Sequence, residues 1–504
     1  MAFVINAIST DNCSAHNPSK PIKNKSENWH SVCLVVHVQN HLNNSSLLFL
    51  YLIGLLFLGL YSVRKKEKQR DDYSLGNGKF GWLMIAFSLF LSNIIRIQII
   101  GYSLFIPSFL GWFLLSIALL VAGNLLGIFL NKQFHTPVLL LNSSAGNRIL
   151  AFAGICFYVA IQLLSILFIS AILLEQVAGV DYYSSAVMIV AISGIFVVVG
   201  GQLSLMRTQS IQLLFVLGAL GLTFVRGIDP FGIVTRGMAL QVTPSTNNIS
   251  TIGAILGIPL LSFWFWNIDY YSLHQLALGK NIREKNSALI VALMFTAAIV
   301  FFVSTASIPR LPFTEEPRSI TQSPFVNGVL VAGVGSLLLV ALAVTFSSTS
   351  SLFTNGIYRS IKSSATDGEL ILIGRLAAMS VSVATILLIP FAKTVGGFLL
   401  PYFFLFPVYF CTPIMSLSFI KKVWMNGSGN ADLYALLAGE LIGLILFCDN
   451  IFPDILPGNG YFSQIDPFLA AVISVLFTGI VYVVLNLVNA HRVSDPANDS
   501  VTVQ

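Results

Sequence analysis

Three polar side chains lie in the middle of an otherwise apolar stretch of the chain, residues 81–105: Asn93, Arg96 and Gln98. An amide hydrogen-bonds an uncharged polar ligand, whereas a guanidinium offers a planar fork of donors that matches a carboxylate. On an unbroken helix, Asn93 and Gln98 would point about 140° apart, so they converge only if the helix unwinds between them. The pattern indicates either a binding site or hydrogen bonds to a neighbouring helix.

Arg96 is the most informative of the three. An arginine at the centre of an apolar helix costs at least about 2.5–3.5 kcal/mol on insertion scales unless it is paired or hydrated, so we expect it to face a cavity. Three interpretations stay open. The guanidinium binds the carboxylate of an anionic substrate, it serves as an internal cation, or it pairs with Asp269 in a later apolar stretch.

The elements that position these residues must be membrane helices. Of the 504 residues, 56% are hydrophobic and 10% are charged, which leaves too little polar surface for a soluble domain of this size. A spanning helix needs about 20 mostly apolar residues, and thirteen such runs recur along the chain. The predicted spans are 46–63, 81–105, 109–131, 148–174, 184–202, 209–227, 250–276, 286–305, 326–357, 368–392, 394–420, 431–448 and 466–488.

The basic residues predict the orientation of these spans. If the first span runs from outside to inside, nearly all basic clusters fall in the cytoplasm, as the positive-inside bias requires. The N-terminus is then outside and the C-terminus cytoplasmic, in what we expect to be the plasma membrane. This distribution explains the excess of 27 Lys and Arg over 21 Asp and Glu without a nucleic-acid partner. The inside clusters are Arg64–Arg70, Lys132 with Arg148, Arg207, Lys280–Lys285, Arg359 with Lys362, and Lys421 with Lys422.

Five segments of the chain resemble, in order and spacing, the sodium:solute symporters, the family of the sodium/glucose, proline and pantothenate cotransporters. The resemblance covers roughly residues 46–490. The segments are DYSLGNGKFGW (72–82) followed by SLFLSNI (88–94), VGGQLSLMRTQSIQ (199–212), WFWNID (264–269), SSLFTNGIYR (350–359) and ELILIGR (369–375).

The resemblance implies an all-α polytopic membrane protein with a LeuT-like 5+5 inverted-repeat core. About thirteen transmembrane helices are expected, with one before the core of residues 81–420 and two after it. The first helix of each repeat would be broken at the bilayer midplane, where free backbone groups bind substrate and ion. The domain organisation is then a polar, disordered tail at 1–45, a transporter domain at 46–490 and a cytoplasmic tail at 491–504.

The resemblance also places substrate-facing residues. Asn93 and Gln98 match polar positions that face the substrate in sugar-transporting relatives, and Phe404 falls near the position of a sugar-binding glutamine. An aromatic triplet on the sixth core helix would line the cavity, with one member expected against lipid or core. A cavity so poor in polar groups favours a small organic anion with an apolar body over a hexose. The triplet is Trp264, Phe265 and Trp266.

The family's main sodium site departs from its pattern in this chain. It combines carbonyls of the first core helix, here Leu91 and Ile94, with hydroxyls of the eighth, and those two positions hold Val340 and Ala341. The acidic residue associated with sodium passage is replaced by Gln209. Sodium is a hard cation that binds oxygen ligands, so the predicted site is degenerate. Sodium is the one ion or cofactor that the resemblance implies.

A run of hydroxyl residues, Ser347–Ser351, lies lower on the same helix. Relatives with an intact sodium site carry such a run as well, so it does not replace the missing ligands. Helix packing and backbone hydrogen bonding are its expected roles.

Two functions remain open on the sequence. The first is secondary transport of a small solute, by sodium symport through a degenerate site or by a sodium-independent route such as proton coupling, exchange or facilitated diffusion. The second is a transporter-like sensor that binds solute without moving it. An enzyme is disfavoured because the chain contains no metalloprotease motif, P-loop or cysteine–histidine metal set. The expected partners are the lipid bilayer and a small solute.

Overall fold

The computed structural model describes residues 46–61, 80–95, 117–125 with 127, 145–226, 251–306, 324–394, 406–423, 429–451 and 465–494. These residues form helices joined by short turns, and each predicted span overlaps at least one of the helices. The all-helical fold class predicted from the sequence is therefore confirmed. Arg96, Gln98 and Phe404 lie outside the described residues, as do both predicted tails apart from the helical residues 491–494.

We number the helices α1 to α13 in chain order. They are α1 (Ser46–Tyr61), α2 (Trp82–Ile95), α3 (117–125), α4 (Ala145–Ala178), α5 (Tyr182–Arg226), α6 (Thr251–Phe263), α7 (Tyr270–Leu276), α8 (Ile282–Ala306), α9 (Pro324–Ser351), α10 (Asp367–Leu387), α11 (Thr412–Val423), α12 (Gly429–Ile451) and α13 (Pro467–Ser494).

Three wide, π-helical turns adjoin these helices. Trp264–Ile268 continues α6, Leu352–Tyr358 continues α9, and Pro407–Cys411 precedes α11. Within the described part of the chain, five helices are long and apolar enough to cross a membrane by length and composition, and five shorter apolar helices accompany them.

Helix α5 unites two predicted spans. The sequence predicts spans at 184–202 and 209–227 with a connector between them, but the chain is helical through that connector. The one interruption is Gly201, whose φ of 55° and ψ of −164° lie outside the helical region. An L-residue with a side chain rarely adopts a positive φ, so the glycine allows two helices to meet with no loop. The junction is one residue long, and Arg207 therefore lies on a helix.

Short polar residues begin two of the helices. The Asp181 carboxylate accepts the backbone N–H of Ser184 over 3.1 Å at the start of α5, and Thr366 accepts the N–H of Glu369 over 3.4 Å at the start of α10. Hydrogen bonds from the side chain and backbone of Ser184 lower the pKa of Asp181. Such caps satisfy N–H groups that have no partner within the helix.

Helix α9 is the centre of the packing. It lies along α5 and also contacts α2, α4 and α10. Its residues 338–344 are fully buried although they are apolar all round, as expected of a helix surrounded by other helices. Close approach depends on small residues, because a Cβ added at Gly333 would lie 2.8 Å from the carbonyl oxygen of Phe215 on α5. The side chains of this part of α9 therefore lie in the protein interior.

Candidate functional site

The span predicted at 250–276 is broken in the middle. After α6 and its π-helical turn, Asp269 adopts φ −52° and ψ 127°, and α7 begins at Tyr270. The N–H of Asp269 donates to the carbonyl of Trp264 over 2.8 Å, and its buried carboxylate accepts the N–H of Ser272 over 3.4 Å. Asp269 therefore closes one half-helix and caps the next. This is the break expected for the first helix of the second repeat.

The three aromatic residues before the break are all buried. Trp264 and Phe265 are each 6% exposed, and Trp266 is fully buried. The wide π-helical turn places the Phe265 carbonyl within 2.7 Å of the Ser272 hydroxyl, which donates to it across the break. All three belong to the buried hydrophobic core. Which of them contact solute stays a prediction.

Helix α2 meets this break through Asn93. Its Nδ2 atom donates to the Ser272 hydroxyl over 3.3 Å, and Asn93 is buried. The contact joins the first core helices of the two repeats at the broken segment. A hydrogen bond between helices was the alternative to a substrate contact for Asn93, and its role in binding solute stays a prediction. Helix α2 ends at Ile95, so the expected unwinding between Asn93 and Gln98 lies outside the described residues.

The positions that the resemblance assigns to the family's sodium ligands are enclosed and apolar. Leu91 and Ile94 are buried on α2, and Val340 and Ala341 are fully buried on α9. The carbonyl of Ala341 accepts a hydrogen bond from the Thr345 hydroxyl over 2.8 Å. No side-chain oxygen belongs to these four residues. From these four residues, a cation could obtain only backbone carbonyls as oxygen ligands.

Gln209 lies on α5 and is 1% exposed. Neither its amide nitrogen nor its amide oxygen has a hydrogen-bond partner among the described residues. The same is true of Gln212, one turn further along the same helix. A neutral amide at Gln209 attracts a passing cation less than the carboxylate that the resemblance places there.

The sequence analysis missed an uncharged hydrogen-bonded cluster below the break. Ser88 on α2 and Gln202 on α5 both donate to Oε1 of Gln275 on α7, over 2.6 and 3.1 Å. Ser347 on α9 donates to Oε1 of Gln202 over 2.8 Å. Four helices thus meet through neutral polar groups. The available signal was that both glutamines stand inside apolar spans, where polar side chains need partners.

The serine run of α9 has partners on other helices. Ser348 lies 3.0 Å from Nδ1 of His274 on α7, and Ser350 donates to the carbonyl of Gly374 on α10 over 2.6 Å. These contacts agree with the packing role expected for the run. They add His274, which the sequence analysis did not single out.

Helices α3 and α6 approach each other closely beside the site. A Cβ added at Gly123 would lie 2.6 Å from the carbonyl oxygen of Pro259, and one at Gly127 would overlap the side chain of Asn267. Gly123 lies on α3, and Gly127, which is also helical, follows four residues later, the spacing of one helix face. These close contacts involve α6 and the π-helical turn that continues it.

The comparisons with known proteins agree with this geometry. The model of the sodium:solute symporter family matches residues 73–261. Solute carrier family 5 member 4B of Mus musculus is 25% identical over 479 residues, covering 81% of this chain and 72% of the relative. Sodium/myo-inositol cotransporter 2 of Bos taurus is 22% identical over 482 residues, covering 81% and 70%. The chain is therefore similar to sodium:solute symporters, through the family model over residues 73–261 and through these relatives over most of its length.

A solved structure supports the fold of this chain. The structure is that of a Na⁺-coupled sialic acid symporter in a substrate-bound, outward-open state. It superposes with a TM-score of 0.66 at 16% identity, covering 88% of this chain and 98% of that one. The LeuT-like inverted-repeat fold predicted from the resemblance is confirmed.

Similarity to these transporters indicates the general function. The chain is a multi-pass integral membrane protein and a secondary transporter of small solutes, and its relatives are transporters, not enzymes. Broken helices supply free backbone groups near the midplane, where substrates bind in folds of this kind. The break at Asp269 and the contact between Asn93 and Ser272 are the described parts of that region.

Proposed function

We propose that this transporter moves a small organic anion without coupling to sodium at the family's main sodium site. The observation that carries the proposal is the complete burial of Val340 and Ala341, which have no side-chain oxygen, at the two hydroxyl positions of that site. Removing a sodium ion from water is costly, and oxygen ligands must replace its hydration shell. Backbone carbonyls alone, one of them already bonded to Thr345, are a weak substitute.

The replacement of a carboxylate by Gln209 supports the same conclusion. Gln209 is buried on α5, and the cluster below the break, Ser88, Gln202, Gln275 and Ser347, is also uncharged. A cation that crosses this region meets dipoles but no negative side chain within the cluster. Sodium is therefore not required to balance charge there.

The substrate class follows from the predicted clamp. Arg96 provides a planar fork of N–H donors for one carboxylate. It lies five residues before the glycine–tyrosine pair 101–102. The buried Trp264 and Phe265 supply apolar surface for the rest of a small solute. A monocarboxylate fits this combination better than a polyol such as myo-inositol, which needs many hydrogen-bond partners.

Uptake into proteoliposomes tests the proposal. The purified full chain would be reconstituted and given radiolabelled pyruvate or myo-inositol, with sodium replaced by potassium at constant ionic strength. We expect protein-dependent pyruvate uptake that is equal in the two cations. Sodium-dependent uptake of either solute would overturn the proposal. Saturable binding of pyruvate without uptake would identify a sensor instead of a carrier.

Expression of the full chain in cells tests membrane orientation. The proposal includes a plasma-membrane location with the N-terminus outside, on the basis of the basic clusters. An epitope at residue 1 should be accessible on intact cells, and one at residue 504 only after permeabilisation. The reverse pattern would invert the topology.

A further inference from the structure

His274 is a buried ionisable side chain within the hydrogen-bonded interior. It lies on α7, five residues after the break at Asp269, and is 5% exposed. Its Nδ1 atom lies 3.0 Å from the hydroxyl of Ser348, and its ring stacks on Tyr270 with centroids 6.2 Å apart and an interplanar angle of 17°. Histidine is the side chain whose ordinary charge change falls between about pH 5 and 8.

The surroundings of His274 are neutral polar groups that can reorient. Ser348 is next to Ser347, which belongs to the cluster with Gln202 and Gln275. A hydroxyl donates to a neutral imidazole nitrogen and accepts from a protonated one, so the Ser348 contact serves both states. A proton at His274 would add one positive charge beside α9, whose Val340 and Ala341 supply no hydroxyl to the predicted sodium site.

The charged and titratable groups around His274 are few within the described residues. Neither α2 nor α9, both packed against α7, contains an ionisable side chain in its described range, and the π-helical turn before Asp269 contains none. Asp269, Tyr270 and Tyr271 lie on the same half-helix as His274. Two other neighbouring helices, α8 and α5, contain charged side chains that lie close to these contacts in the sequence. They are Arg283, Glu284 and Lys285 on α8 and Arg207 on α5.

We propose that His274 is a proton-binding site and that its proton replaces sodium as the coupling ion, an inference that rests on the sodium-independent transport proposed above. Coupling requires that the ion bind the two conformations of a carrier with different affinity. Hydration of the inner half-helix changes when a carrier of this fold opens to one side, and the cost of a buried positive charge changes with it. A proton at His274 therefore favours one conformation.

The first test needs no solute. Wild type, His274→Gln and His491→Gln, each in lipid nanodiscs without sodium, would be titrated from pH 5 to 8.5 with tryptophan fluorescence and melting temperature as readouts. We expect a one-proton transition in wild type and in His491→Gln, the matched change at the end of α13, and its loss in His274→Gln. Ser348→Ala keeps the histidine and should move the midpoint of the transition without removing it.

The competing group in this titration is Glu440, at the middle of α12. If the transition persists in His274→Gln and disappears in Glu440→Gln, the proton belongs to the carboxyl and the inference is overturned. If His274→Gln does not fold, Ser348→Ala still tests the proposal. An unchanged midpoint of the pH transition in that variant would contradict proton binding at His274.

The second test measures coupling. Proteoliposomes would be given pyruvate under an inward proton gradient of one pH unit, with the membrane potential clamped and protein-free vesicles as the leak control. A gradient of one pH unit is a tenfold difference in proton activity, or about 1.4 kcal/mol. If one proton accompanies each pyruvate anion, we expect the pyruvate concentration inside the vesicles to approach about ten times that outside. Equal pyruvate uptake in sodium and potassium without any response to the gradient would overturn the inference and leave the proposed function standing. A requirement for sodium would overturn both coupling statements, while the nanodisc titration would still decide whether His274 binds the proton.

Discussion

The Nδ2 atom of Asn93 lies 3.3 Å from the hydroxyl oxygen of Ser272, and this contact joins the first helices of the two repeats beside the break. Ser272 also donates to the carbonyl of Phe265 over 2.7 Å. One hydroxyl therefore connects α2, the π-helical turn and the capped start of α7. The site is built on this junction.

A double-mutant cycle separates the two roles of Asn93. We expect the coupling between Asn93→Ala and Ser272→Ala to contribute about 0.6 kcal/mol to stability, the average for hydrogen bonds between membrane helices. If Asn93 also contacts solute, Asn93→Ala should weaken pyruvate binding well beyond the effect of Ser272→Ala. Equal losses of affinity in the two single variants would restrict Asn93 to packing.

Substitutions at Asp269 distinguish its cap from its charge. Asp269→Ala removes the acceptor for the Ser272 N–H, so we expect a stability loss of about 1 kcal/mol, whereas Asp269→Asn keeps a capping oxygen and should lose little.

If Arg96 is the substrate clamp, Arg96→Ala abolishes pyruvate binding and Asp269→Asn barely changes it. Comparable loss of binding in both would indicate a structural ion pair between the two residues.

Restoring hydroxyls at the sodium site is a gain-of-function test. The double substitution Val340→Ser with Ala341→Ser returns oxygen ligands to α9, but we expect no sodium dependence while the positive charge of Arg96 remains. The measurement is pyruvate uptake and melting temperature in sodium against potassium, because an ion that binds the native state raises its stability. Sodium-dependent uptake in this double variant would refute the role of Arg96 as an internal cation.

The close contact of α3 with α6 predicts sensitivity to one methyl group. Gly123→Ala would bring a Cβ to 2.6 Å from the Pro259 carbonyl oxygen, and backbone cannot move aside as a side chain can. We expect a loss of about 1–3 kcal/mol, seen as a lower melting temperature and reduced solute binding. Gly221→Ala on α5 is the matched control, since nothing lies within 4 Å of its added Cβ. Similar melting temperatures for the two variants would exclude the contact.

The junction in α5 gives a further prediction. Gly201→Ala forces a side chain onto a residue with φ of 55° and ψ of −164°, a combination that is nearly restricted to glycine and costs about 1–3 kcal/mol. The strain should also displace Gln202, the next residue, from its hydrogen bond with Gln275. We therefore expect lower stability together with slower transport. A variant as stable and as active as wild type would show that the bend tolerates a side chain.

The sequence by itself determined the membrane class, the helical spans and the resemblance to sodium:solute symporters. Apolar runs of membrane length and the positive-inside bias are local properties of a chain, and short motifs keep their order in the sequence. The spans at 148–174 and 286–305 correspond closely to α4 and α8 for this reason. The prediction that Val340 and Ala341 leave the sodium site without hydroxyls rests on residue type alone, and it stays a prediction.

The tertiary structure alone decided which polar groups meet. Gln202 and Gln275 are 73 residues apart, and Ser348 and His274 are 74 apart, so no local pattern pairs them. The direct joint at Gly201 depends on a backbone angle that residue type allows but does not require. Contacts across helices follow from how the helices pack, and that packing is fixed by close approaches such as Gly123 with Pro259, which only the assembled bundle contains.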